Sequence, residues 1–596
     1  MSAPRLSEFI KAYDVRGLVP DQLNDAVAFA IGSAFAQVVA RPDGATSIVI
    51  GHDMRPSSPD LSRAFAAGAA ANGLDVTLIG LCSTDGLYYA SGALDVPGAM
   101  FTASHNPAQY NGIKLCRSGA RPVGQDTGLG QVRDLAQSLL DSGETPLPAE
   151  AAGTISERDV LADYAAFLRG LVDLSQIRPL TVVVDAGNGM GGHTVPAVLG
   201  STTASEDRSA ALTAALTAAR TAASAESGPR SGALGGLPTL PLTVIPLYFE
   251  LDGTFPNHEA NPLNPENLRD LQAAVIAHGA DLGLAFDGDA DRCFVVDERG
   301  EPVSPSAITA LVATREIAKE RAAGRDATIV YNVISSAAVA EIVVEAGGTA
   351  VRTRVGHSFI KGEMARHQAV FGGEHSAHYY FRDFWFADTG MLAAMHVLAA
   401  LGEQSRPISE VVARFTRYAA SGEINSTVAD ASAATADVRE WAQAWAIHHE
   451  QVVELDELDG LTVTHAGEPM WWFNLRASNT EPLLRLNVEA ADEATMARVR
   501  DDVLSIVRGK NLMTEQTQPA SAADPSAPSD PARPAPPLEP WLREILRCPN
   551  CLSTLSDGSG PSGQELHCTN AECRLAYRID DGIPVLLVDE SRSLTD

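Results

Sequence analysis

Basic residues are scarce in this sequence. The chain has 596 residues, of which 44 are Lys or Arg and 75 are Asp or Glu, so its formal net charge is −31. Proteins that bind nucleic acid usually present a basic face that neutralises phosphates. The charge therefore argues against nucleic acid as a partner.

Long hydrophobic runs are also missing. The longest apolar stretches, residues 27–40 and 391–401, contain Gly, Ser, Gln or His and are shorter than the ~20 residues that a membrane-spanning helix needs. They predict buried helices and no membrane association. The N-terminal segment MSAPRLSEFIKAYDVRG lacks the apolar core of a signal peptide. A cytoplasmic location is therefore expected.

Cysteine is rare except near the end of the chain. There are 7 cysteines, too few for a disulfide scaffold, yet four of them lie in the last 49 residues. Two residues lie between Cys548 and Cys551, four lie between Cys568 and Cys573, and sixteen lie between the two pairs. This spacing is typical of two knuckles that bind one tetrahedral Zn²⁺ ion, whose binding stabilises a small fold. The alternatives are four unrelated buried cysteines or a disulfide pair, which the cytosol disfavours.

Two segments have compositions that do not build a hydrophobic core. Residues 519–540 contain eight prolines in 22 positions, which predicts an extended linker. In residues 200–236, 27 of 37 residues are Ala, Gly, Ser or Thr, which predicts a loop insertion without chemistry. The rest of the main body alternates short β-branched runs with amphipathic stretches, a pattern typical of α/β domains with mixed, largely parallel sheets.

Four polar loops follow or separate the predicted strands, and the first is FTASHNPAQYNGIK at residues 101–114. Ser104 is a candidate nucleophile, and His105 and Lys114 are candidates for proton transfer or for neutralising a phosphate. An Asn-Pro turn capped by a hydroxyl is the alternative.

The second loop is DGDADR, which begins at Asp287. Asp287, Asp289 and Asp291 alternate along it, which favours convergence on one hard cation, because without a cation the carboxylates would repel one another. Arg292 beside them suits a phosphate that bridges to the metal. The alternatives are a solvated acidic turn and an aspartyl-phosphate phosphatase site with Asp287 as its nucleophile.

The third loop is GGEHSAH at residues 372–378. Glu374, Ser376 and His378 occupy alternate positions, so in an extended chain they would point the same way. Such a trio is suited to the hydroxyl groups of a sugar.

The fourth loop is RASNTEP at residues 476–482. Arg476, Ser478, Asn479 and Thr480 provide a dense set of hydrogen-bond donors suited to a dianionic phosphate. A polar hairpin turn is the alternative.

In this order, and together with YDVRG at residues 13–17, the four loops resemble those of the α-D-phosphohexomutases. The resemblance implies three related α/β units and a smaller α+β domain around a central cleft, followed by a small zinc-ribbon-like domain. The implied segments are 1–155 with the serine loop, 156–301 with the metal loop, 302–417 with the sugar loop, 418–512 with the phosphate loop, the linker 513–540 and the module 541–596.

The resemblance also implies a reaction. Ser104 carries a phosphate in the resting enzyme, and Mg²⁺ is bound by Asp287, Asp289, Asp291 and an oxygen of the phosphoserine. The sugar hydroxyl attacks the phosphoryl group. The resulting hexose 1,6-bisphosphate, which also serves as an activator, turns over in the cleft and returns its other phosphate to Ser104.

Further roles are implied by position in the motifs. Tyr13 and Arg16 lie near the serine loop, Lys114 acts as acid or base, and His357 in RVGHSFIK places or deprotonates the substrate. His105 belongs to the same catalytic loop.

The motifs GEHSAH and RASNTEP are similar to those of bacterial phosphomannomutases and of dual-specificity mannose/glucose enzymes. We therefore predict interconversion of mannose 6-phosphate and mannose 1-phosphate. Phosphoglucomutase is an alternative, and a non-catalytic sugar-phosphate sensor is an alternative of a different class. After ATIVYNV the chain reads ISSAAV and lacks the Lys that some dual-specificity members have there, which disfavours glucose 1-phosphate.

The tail, from LREILRCPNCLSTL to GIPVLLVDESR, resembles small zinc-ribbon proteins that bind and stabilise methyltransferases. Residues 541–596 contain five basic and nine acidic residues, which disfavours a nucleic-acid ribbon. The resemblance implies a protein partner, a methyltransferase, and a structural cap on the main body is the alternative.

Overall fold

The computed structural model describes residues 4–11, 13–142, 152–200, 237–478, 483–509 and 546–594, with residues 552, 561–562, 572, 581–582, 587 and 589–590 excepted. Residues 201–236 of the predicted insertion, the predicted linker, and Asn479 and Thr480 of the predicted phosphate loop lie outside these residues. The chain divides into two compact units, Met1–Met513 and Thr514–Asp596. Within the described ranges, no helix is long and apolar enough to span a membrane.

The first domain of the larger unit contains a mixed sheet. Its strands follow one another across the sheet in the order Val15–Leu18, Tyr110–Arg117, Gly98–Phe101, Ser47–His52, Asp75–Leu81 and Ile155–Glu157, with Arg121–Pro122 beside Tyr110–Arg117. Its helices are Asp25–Phe35, Ser58–Ala71, Thr84–Leu94 and Leu129–Ser142, with the π-helical segment Ala36–Ala40 and the 3-10 turns Leu6–Glu8 and Gln125–Thr127. Ile48 and Ile50 belong to one apolar cluster and Val49 to another. The central strand is thus buried on both faces, as parallel strands covered by helices are.

The second and third domains repeat the strand order at the centre of the first. The second sheet runs Leu242–Leu247, Leu180–Asp185, Leu282–Phe286, Cys293–Val296 and Pro302–Val303, and the third runs Thr349–Thr353, Thr328–Asn332, Phe371–Gly373, Tyr379–Phe381 and Ala387–Asp388. All three domains share a set of four strands that are consecutive in the chain, beginning at Ser47, Leu180 and Thr328. The first strand of the shared set lies between the second and third and is parallel to both, and the fourth is antiparallel to the third. The prediction of three related α/β units is confirmed.

Helices flank the second and third sheets. They are Leu161–Leu171, Gly191–Val198 and Arg269–His278 in the second domain, and Pro305–Ala322, Ala337–Glu345, His357–His367, Gly390–Gly402 and Ile408–Ala413 in the third, with 3-10 turns at Pro265–Leu268 and Arg382–Phe384. One apolar core is continuous through both domains. Two strands lie across or beyond the expected boundaries: Ile155–Glu157 pairs with Asp75–Leu81 in the first sheet, and Pro302–Val303 pairs with Cys293–Val296 in the second.

The fourth domain has an antiparallel sheet. Its strands follow the order Ala419–Thr427, Leu483–Ala490, Trp471–Ala477, Leu461–His465 and Glu454–Asp456, and its helices are Ala431–His448 and Glu493–Val507. Trp471, Phe473 and Leu475 alternate along their strand and pack with Val438 and Val499 from the two helices. Because side chains alternate between the faces of a strand, this pattern buries one face of the sheet beneath the helices, and the predicted α+β domain is confirmed.

The topology gives three of the predicted loops equivalent positions. Residues 102–109, 287–292 and 374–378 each connect the third and fourth strands of the shared set. Each loop therefore begins at the carboxyl end of a parallel strand, where ligands bind in open α/β sheets.

The smaller unit contains an antiparallel sheet. Its strands are Leu555–Gly560, Gly563–Cys568, Leu575–Asp580 and Ile583–Pro584, with Arg592–Ser593 paired to Leu575–Asp580.

Candidate active site

Ser104 follows strand Gly98–Phe101 in an unusual backbone conformation. Its φ is 49°, in the left-handed region that non-glycine residues seldom adopt, and its N–H donates to Thr102 Oγ1 at 2.9 Å. The buried hydroxyl donates to Asp287 Oδ2 at 2.8 Å. Ser104 therefore joins the loops of the first two domains, which a turn-capping hydroxyl would not do.

The three aspartates of the second loop form one buried cluster. Asp287, Asp289 and Asp291 are 0%, 0% and 1% exposed, and one ligand oxygen of each lies within 4.8 Å of the others. Asp289 Oδ1 and Asp291 Oδ1 are buried without a hydrogen-bond partner among the described residues, which is costly unless such oxygens bind a cation. Burial excludes the solvated acidic turn, and the donor set fits Mg²⁺.

Lys114 partly neutralises this cluster. Its Nζ lies 2.7 Å from Asp289 Oδ2 and 2.6 Å from Asp291 Oδ2. Burial would raise the pKa of Asp289, but Lys114, Thr84 and Arg292 together outweigh burial and the net shift of that pKa is downward. Burial opposes the charge on Lys114 as well, yet the two carboxylates raise its pKa well above the ordinary value. Lys114 is therefore protonated, which suits phosphate neutralisation or proton donation.

The pKa of Asp287 shifts in the opposite direction to that of Asp289. Burial raises the pKa of Asp287 to about 7, although Arg292 opposes the shift. Arg292 is itself buried, and its Nε donates to Asp287 Oδ2 at 2.9 Å. The Arg292 guanidinium also donates to His105 Nδ1 at 2.6 Å. Burial, followed by Arg292 and Arg16, lowers the pKa of His105 well below its ordinary value, so this imidazole is neutral.

Arg16 and Tyr13 reach the site from the N-terminal segment. Arg16 Nη1 donates to Asn106 Oδ1 of the serine loop at 2.6 Å, and its Nε donates to Asp14 at 2.8 Å. The Tyr13 ring packs edge-on against His357, with the ring centroids 5.2 Å apart. Burial lowers the pKa of His357 to about 3, with Lys361 contributing. The segment thus links the first domain to helix His357–His367 of the third.

The backbone of the third loop is folded back on itself. Glu374 N donates to His378 O, Ala377 N donates to Glu374 O, and the φ of Ala377 is 65°. The segment is therefore a turn, so the condition of an extended chain, under which the three side chains would share one face, is not met. Glu374 is buried and accepts hydrogen bonds from Tyr380 Oη at 2.6 Å and Gly356 N at 3.2 Å.

His378 connects the third loop to the aspartate cluster. Its Nε2 lies 3.6 Å from Asp291 Oδ1, and its Nδ1 lies 3.0 Å from Ser376 Oγ and 3.6 Å from Glu374 Oε2. The backbones of Arg292 and His378 also pair. Loops from the first, second and third domains therefore meet at one site.

The fourth loop begins at one of two paired arginines. Arg476 Nη2 and Arg485 Nη1 both donate to Glu423, at 2.8 and 3.1 Å, and the two arginines are directly opposite in adjacent strands. Burial lowers the pKa of His375 in the third loop, and the charge of Glu423 opposes this shift. Ser478 bonds to Arg485, with its Oγ 3.4 Å from Arg485 Nη2.

Four models of known protein domains match the larger unit in the order of its sheets. They describe α/β/α domains I, II and III and the C-terminal domain of phosphoglucomutase/phosphomannomutase, and they match residues 8–137, 218–300, 304–418 and 423–506. The chain belongs to the phosphoglucomutase/phosphomannomutase family.

The chain matches several relatives over nearly their whole length. The chain is 39% identical to the phosphohexose mutases of Xanthomonas campestris, over 84% of this chain and 99% of that protein. It is 37% identical to a phosphomannomutase of Escherichia coli, over 84% and 98%. Among solved structures, a phosphoglucomutase/phosphomannomutase family protein from Burkholderia thailandensis superposes with a TM-score of 0.68 at 28% identity, over 84% of this chain and 98% of that one.

Several residues of the mutase site carry no motif signal in the sequence. Thr84 donates to Asp289 Oδ2 at 2.6 Å from the start of helix Thr84–Leu94. Asn332 donates to Glu374 at 3.3 Å. Each contact joins residues far apart in the sequence, so only proximity in the fold identifies them.

A buried ion pair is the other feature that the sequence does not indicate. Lys361 Nζ lies 2.6 Å from Asp388 Oδ1, the side chains are 3% and 4% exposed, and the ammonium lies 4.2 Å from the centre of the Tyr88 ring. The pair therefore sits between helix His357–His367, the end of the third sheet and the first domain.

We expect Lys361→Met to lower the free energy of unfolding by about 3–5 kcal/mol, because Asp388 would remain buried and unpaired. Arg63→Met is the matched control, since Arg63 pairs with Asp60 at 3.3 Å but the two side chains are 66% and 77% exposed, and the loss there should be at most about 1 kcal/mol. Chemical denaturation measures both, and equal losses would contradict the prediction.

The smaller unit gathers the four cysteines of the tail. Among the described residues all cysteines are free, and the sulfurs of Cys548, Cys551, Cys568 and Cys573 lie within 4.8 Å of one another. The Sγ separations are 3.6 Å for Cys548–Cys573 and 3.4 Å for Cys551–Cys568. Sulfurs bound to one tetrahedral zinc at ~2.3 Å are about 3.8 Å apart, whereas bonded sulfurs are ~2.05 Å apart. The geometry suggests a metal site and disfavours the disulfide alternative.

Thiolate formation is favoured at one of these cysteines. Hydrogen bonding to Ser553 is the main cause that lowers the pKa of Cys551 to about 6. Because metals bind the thiolate form, this knuckle is suited to a metal ion.

Proposed function

We propose that this chain is a phosphomannomutase, an isomerase that interconverts mannose 6-phosphate and mannose 1-phosphate. Relatives at 37% and 36% identity from Escherichia coli are named phosphomannomutase. The observation that carries the proposal is the 2.8 Å hydrogen bond from Ser104 Oγ to Asp287 within the buried carboxylate cluster. A hydroxyl beside a cation site is the arrangement that phosphoryl exchange requires.

Ser104 is the proposed carrier of the phosphoryl group. Asp287, Asp289 and Asp291, with an oxygen of the phosphoserine, are the proposed Mg²⁺ ligands, and Mg²⁺ there neutralises phosphoryl charge. Arg292, already bonded to Asp287 and near Ser104, orients the serine and adds positive charge.

Two further cations flank the serine loop in this proposal. Arg16 holds Asn106 of that loop, and protonated Lys114 provides a proton or a charge to the phosphoryl oxygens. Neutral His105, bonded to Arg292, completes the loop. The transfer is thus assisted mainly by alignment and charge neutralisation.

The substrate side of the site is assigned to the third and fourth loops. Glu374, Ser376 and His378 bind sugar hydroxyls, with Tyr13 and His357 beside them. Arg476, Ser478, Asn479 and Thr480 bind the phosphate that is not reacting. Because hexose 1,6-bisphosphate must reverse in the cleft, one loop contacts the sugar in both orientations while the other binds either phosphate.

The proposed cleft has a charge opposite to that of the chain. The formal net charge is −31, yet the proposal assigns Arg16, Lys114, Arg292 and Arg476 to the cleft together with Mg²⁺. Local positive potential of this kind attracts a dianionic substrate.

A coupled assay with mannose 1-phosphate and glucose 1-phosphate in parallel, with Mg²⁺ and hexose 1,6-bisphosphate as activator, tests the function. We expect turnover of both, with mannose 1-phosphate preferred. Equal efficiency would contradict the substrate preference and favour a dual-specificity mutase. No turnover of either substrate would contradict the proposed mutase activity and favour the sugar-phosphate sensor.

We also propose domain limits that respect the observed sheets. The first limit lies after Glu157, because Ile155–Glu157 completes the first sheet. The second lies after Val303, because Pro302–Val303 completes the second sheet. The remaining limits stay at residues 417, 512 and 540.

We propose that the smaller unit is a zinc ribbon. Cys568→Ser should abolish zinc binding and unfold this unit, because metal binding supplies about 10–16 kcal/mol to small zinc folds. Cys116→Ser, at a buried free thiol of the larger unit, is the control. Atomic absorption of the purified full chain should find one zinc in the wild type and the control, and zinc retained by Cys568→Ser would contradict the site.

The proposed role of the zinc ribbon is to bind a protein, with a methyltransferase as the partner that the family resemblance implies. Affinity purification with the full chain, compared with a chain ending at residue 512, tests this role. Absence of a partner specific to the full chain would favour a structural cap instead.

A further inference from the structure

Arg55 is a fully buried arginine outside the four predicted loops. It is 1% exposed and follows strand Ser47–His52 in the segment GHDMRPSS. A buried guanidinium needs partners for several donors. Its partners lie in the loop that carries Ser104.

The Arg55 guanidinium donates to four backbone carbonyls of that loop. Nη2 bonds to Ser104 O at 3.0 Å and to Asn106 O at 2.7 Å, and Nη1 bonds to Pro107 O at 3.0 Å and to Tyr110 O at 2.9 Å. One planar group thus determines the path of the loop over seven residues. The ammonium of lysine, which has three donors at a single atom, cannot reproduce this fork.

Arg55 is in turn held from two sides. Its Nε lies 3.2 Å from Asp53 Oδ2, and Asp53 Oδ1 accepts from Arg55 N at 3.0 Å and from Ser58 Oγ at 2.6 Å. From the second domain, the Phe255 ring covers the guanidinium, with 5.1 Å between Arg55 Cζ and the ring centre. The donors therefore point at the loop in one orientation.

The Ser104 loop needs such restraint. The left-handed φ of Ser104 is unfavourable for a residue with a side chain. Its carbonyl approaches the metal loop so closely that a Cβ on Gly288 would lie 2.4 Å from Ser104 O. The same carbonyl is one of the four that Arg55 binds, so Arg55 acts where the two loops touch.

We propose that Arg55 is a positioning residue that holds the Ser104 hydroxyl in line with the aspartate cluster. This inference rests on the proposed function, because the hydroxyl must exchange a phosphoryl group for its position to matter. Arg55 acts through loop carbonyls, so it should affect the rate of transfer more than the binding of substrate.

Arg55→Lys tests the proposal while keeping the charge opposite Asp53. We expect kcat to fall by about 10²-fold, the effect of a misplacement near 1 Å, with KM changed by less than about threefold. Arg169→Lys is the matched control, because its guanidinium also binds two carbonyls, Val198 O at 2.6 Å and Pro238 O at 2.7 Å, away from the serine. The control should keep the wild-type kcat.

Amide hydrogen exchange provides a readout that does not depend on mutase activity. The amides of residues 104–110 should exchange faster in Arg55→Lys than in the wild type. Their exchange in Arg169→Lys should equal that of the wild type. Wild-type kcat or unchanged exchange in Arg55→Lys, or a variant that fails to fold, would overturn the positioning role. An inactive wild type would contradict the proposed function, and the exchange comparison would still test the restraint of the loop.

Discussion

Replacing Ser104 with alanine is expected to lower kcat by at least about 10⁴-fold, the scale of losing a catalytic nucleophile. The hydroxyl that accepts and returns the phosphoryl group would be gone, while Arg292 would still pair with Asp287 at 2.8 Å and hold the metal loop. Transfer of labelled phosphate from hexose 1,6-bisphosphate to the protein should therefore stop as well. Intact-mass analysis and the coupled assay measure the two effects on one preparation.

Ser62→Ala is the matched control for Ser104→Ala. Ser62 is also buried in the first domain, and its hydroxyl donates to Pro59 O at 2.8 Å, so this variant should keep wild-type labelling and turnover. Labelling that persists in Ser104→Ala and is removed by hydroxylamine would instead show an acyl phosphate. Asp287 would then be the first candidate, as in the aspartyl-phosphate alternative.

Asp291→Asn is expected to lower kcat by at least about 10²-fold, comparable to removing one preorganised electrostatic contact to a transition state. Asp291 contributes a buried Oδ1 without a hydrogen-bond partner among the described residues and, through Oδ2, one of the two contacts to Lys114. An amide of similar size keeps the shape but removes the charge that a divalent cation requires. The Mg²⁺ concentration for half-maximal rate should rise by about tenfold or more.

Asp297→Asn is the control for the metal site. Asp297 is 3% exposed and accepts from the N–H groups of Arg299 and Glu301, both at 2.9 Å, in the same hairpin of the second sheet. Asparagine keeps that acceptor, so kcat and the Mg²⁺ requirement should stay near wild type. An Asp291→Asn enzyme with an unchanged Mg²⁺ requirement would contradict the role of Asp291 as a ligand.

The local pattern of the chain was sufficient to predict the strands that carry the site. Runs such as LGLAF and GAMF end in polar loops, and the structure has strands Leu282–Phe286 and Gly98–Phe101 at those positions. Apolar runs of four to eight residues that are bounded by turn residues are typical of buried strands. The spacing of the tail cysteines was sufficient to predict that their four sulfurs lie close together, because each pair is close in the sequence.

Two expectations depended on conformation and illustrate the limits of local reasoning. Alternation from Glu374 to His378 suggested an extended segment, but hydrogen bonds between its ends make it a turn. The limit expected at residue 155 lies inside a strand, because Ile155–Glu157 pairs with Asp75–Leu81 in the first sheet. The turn is formed by residues only four positions apart, and alternating residue types alone do not distinguish it from an extended segment. The strand limit, in contrast, depends on a partner strand more than seventy residues away in the sequence.

The deficit of basic residues, the four motifs and the cysteine spacing are properties of the sequence alone, and they determined the family, the α/β class and the residue types of the site. Only the tertiary structure decided that Asp287 bonds to Ser104, that Lys114 lies between Asp289 and Asp291, and that Arg55 holds the serine loop. The physical reason is that these are contacts between side chains and backbone groups tens to nearly two hundred residues apart. Their geometry exists only after three sheets of the same topology have brought equivalent loops to one place.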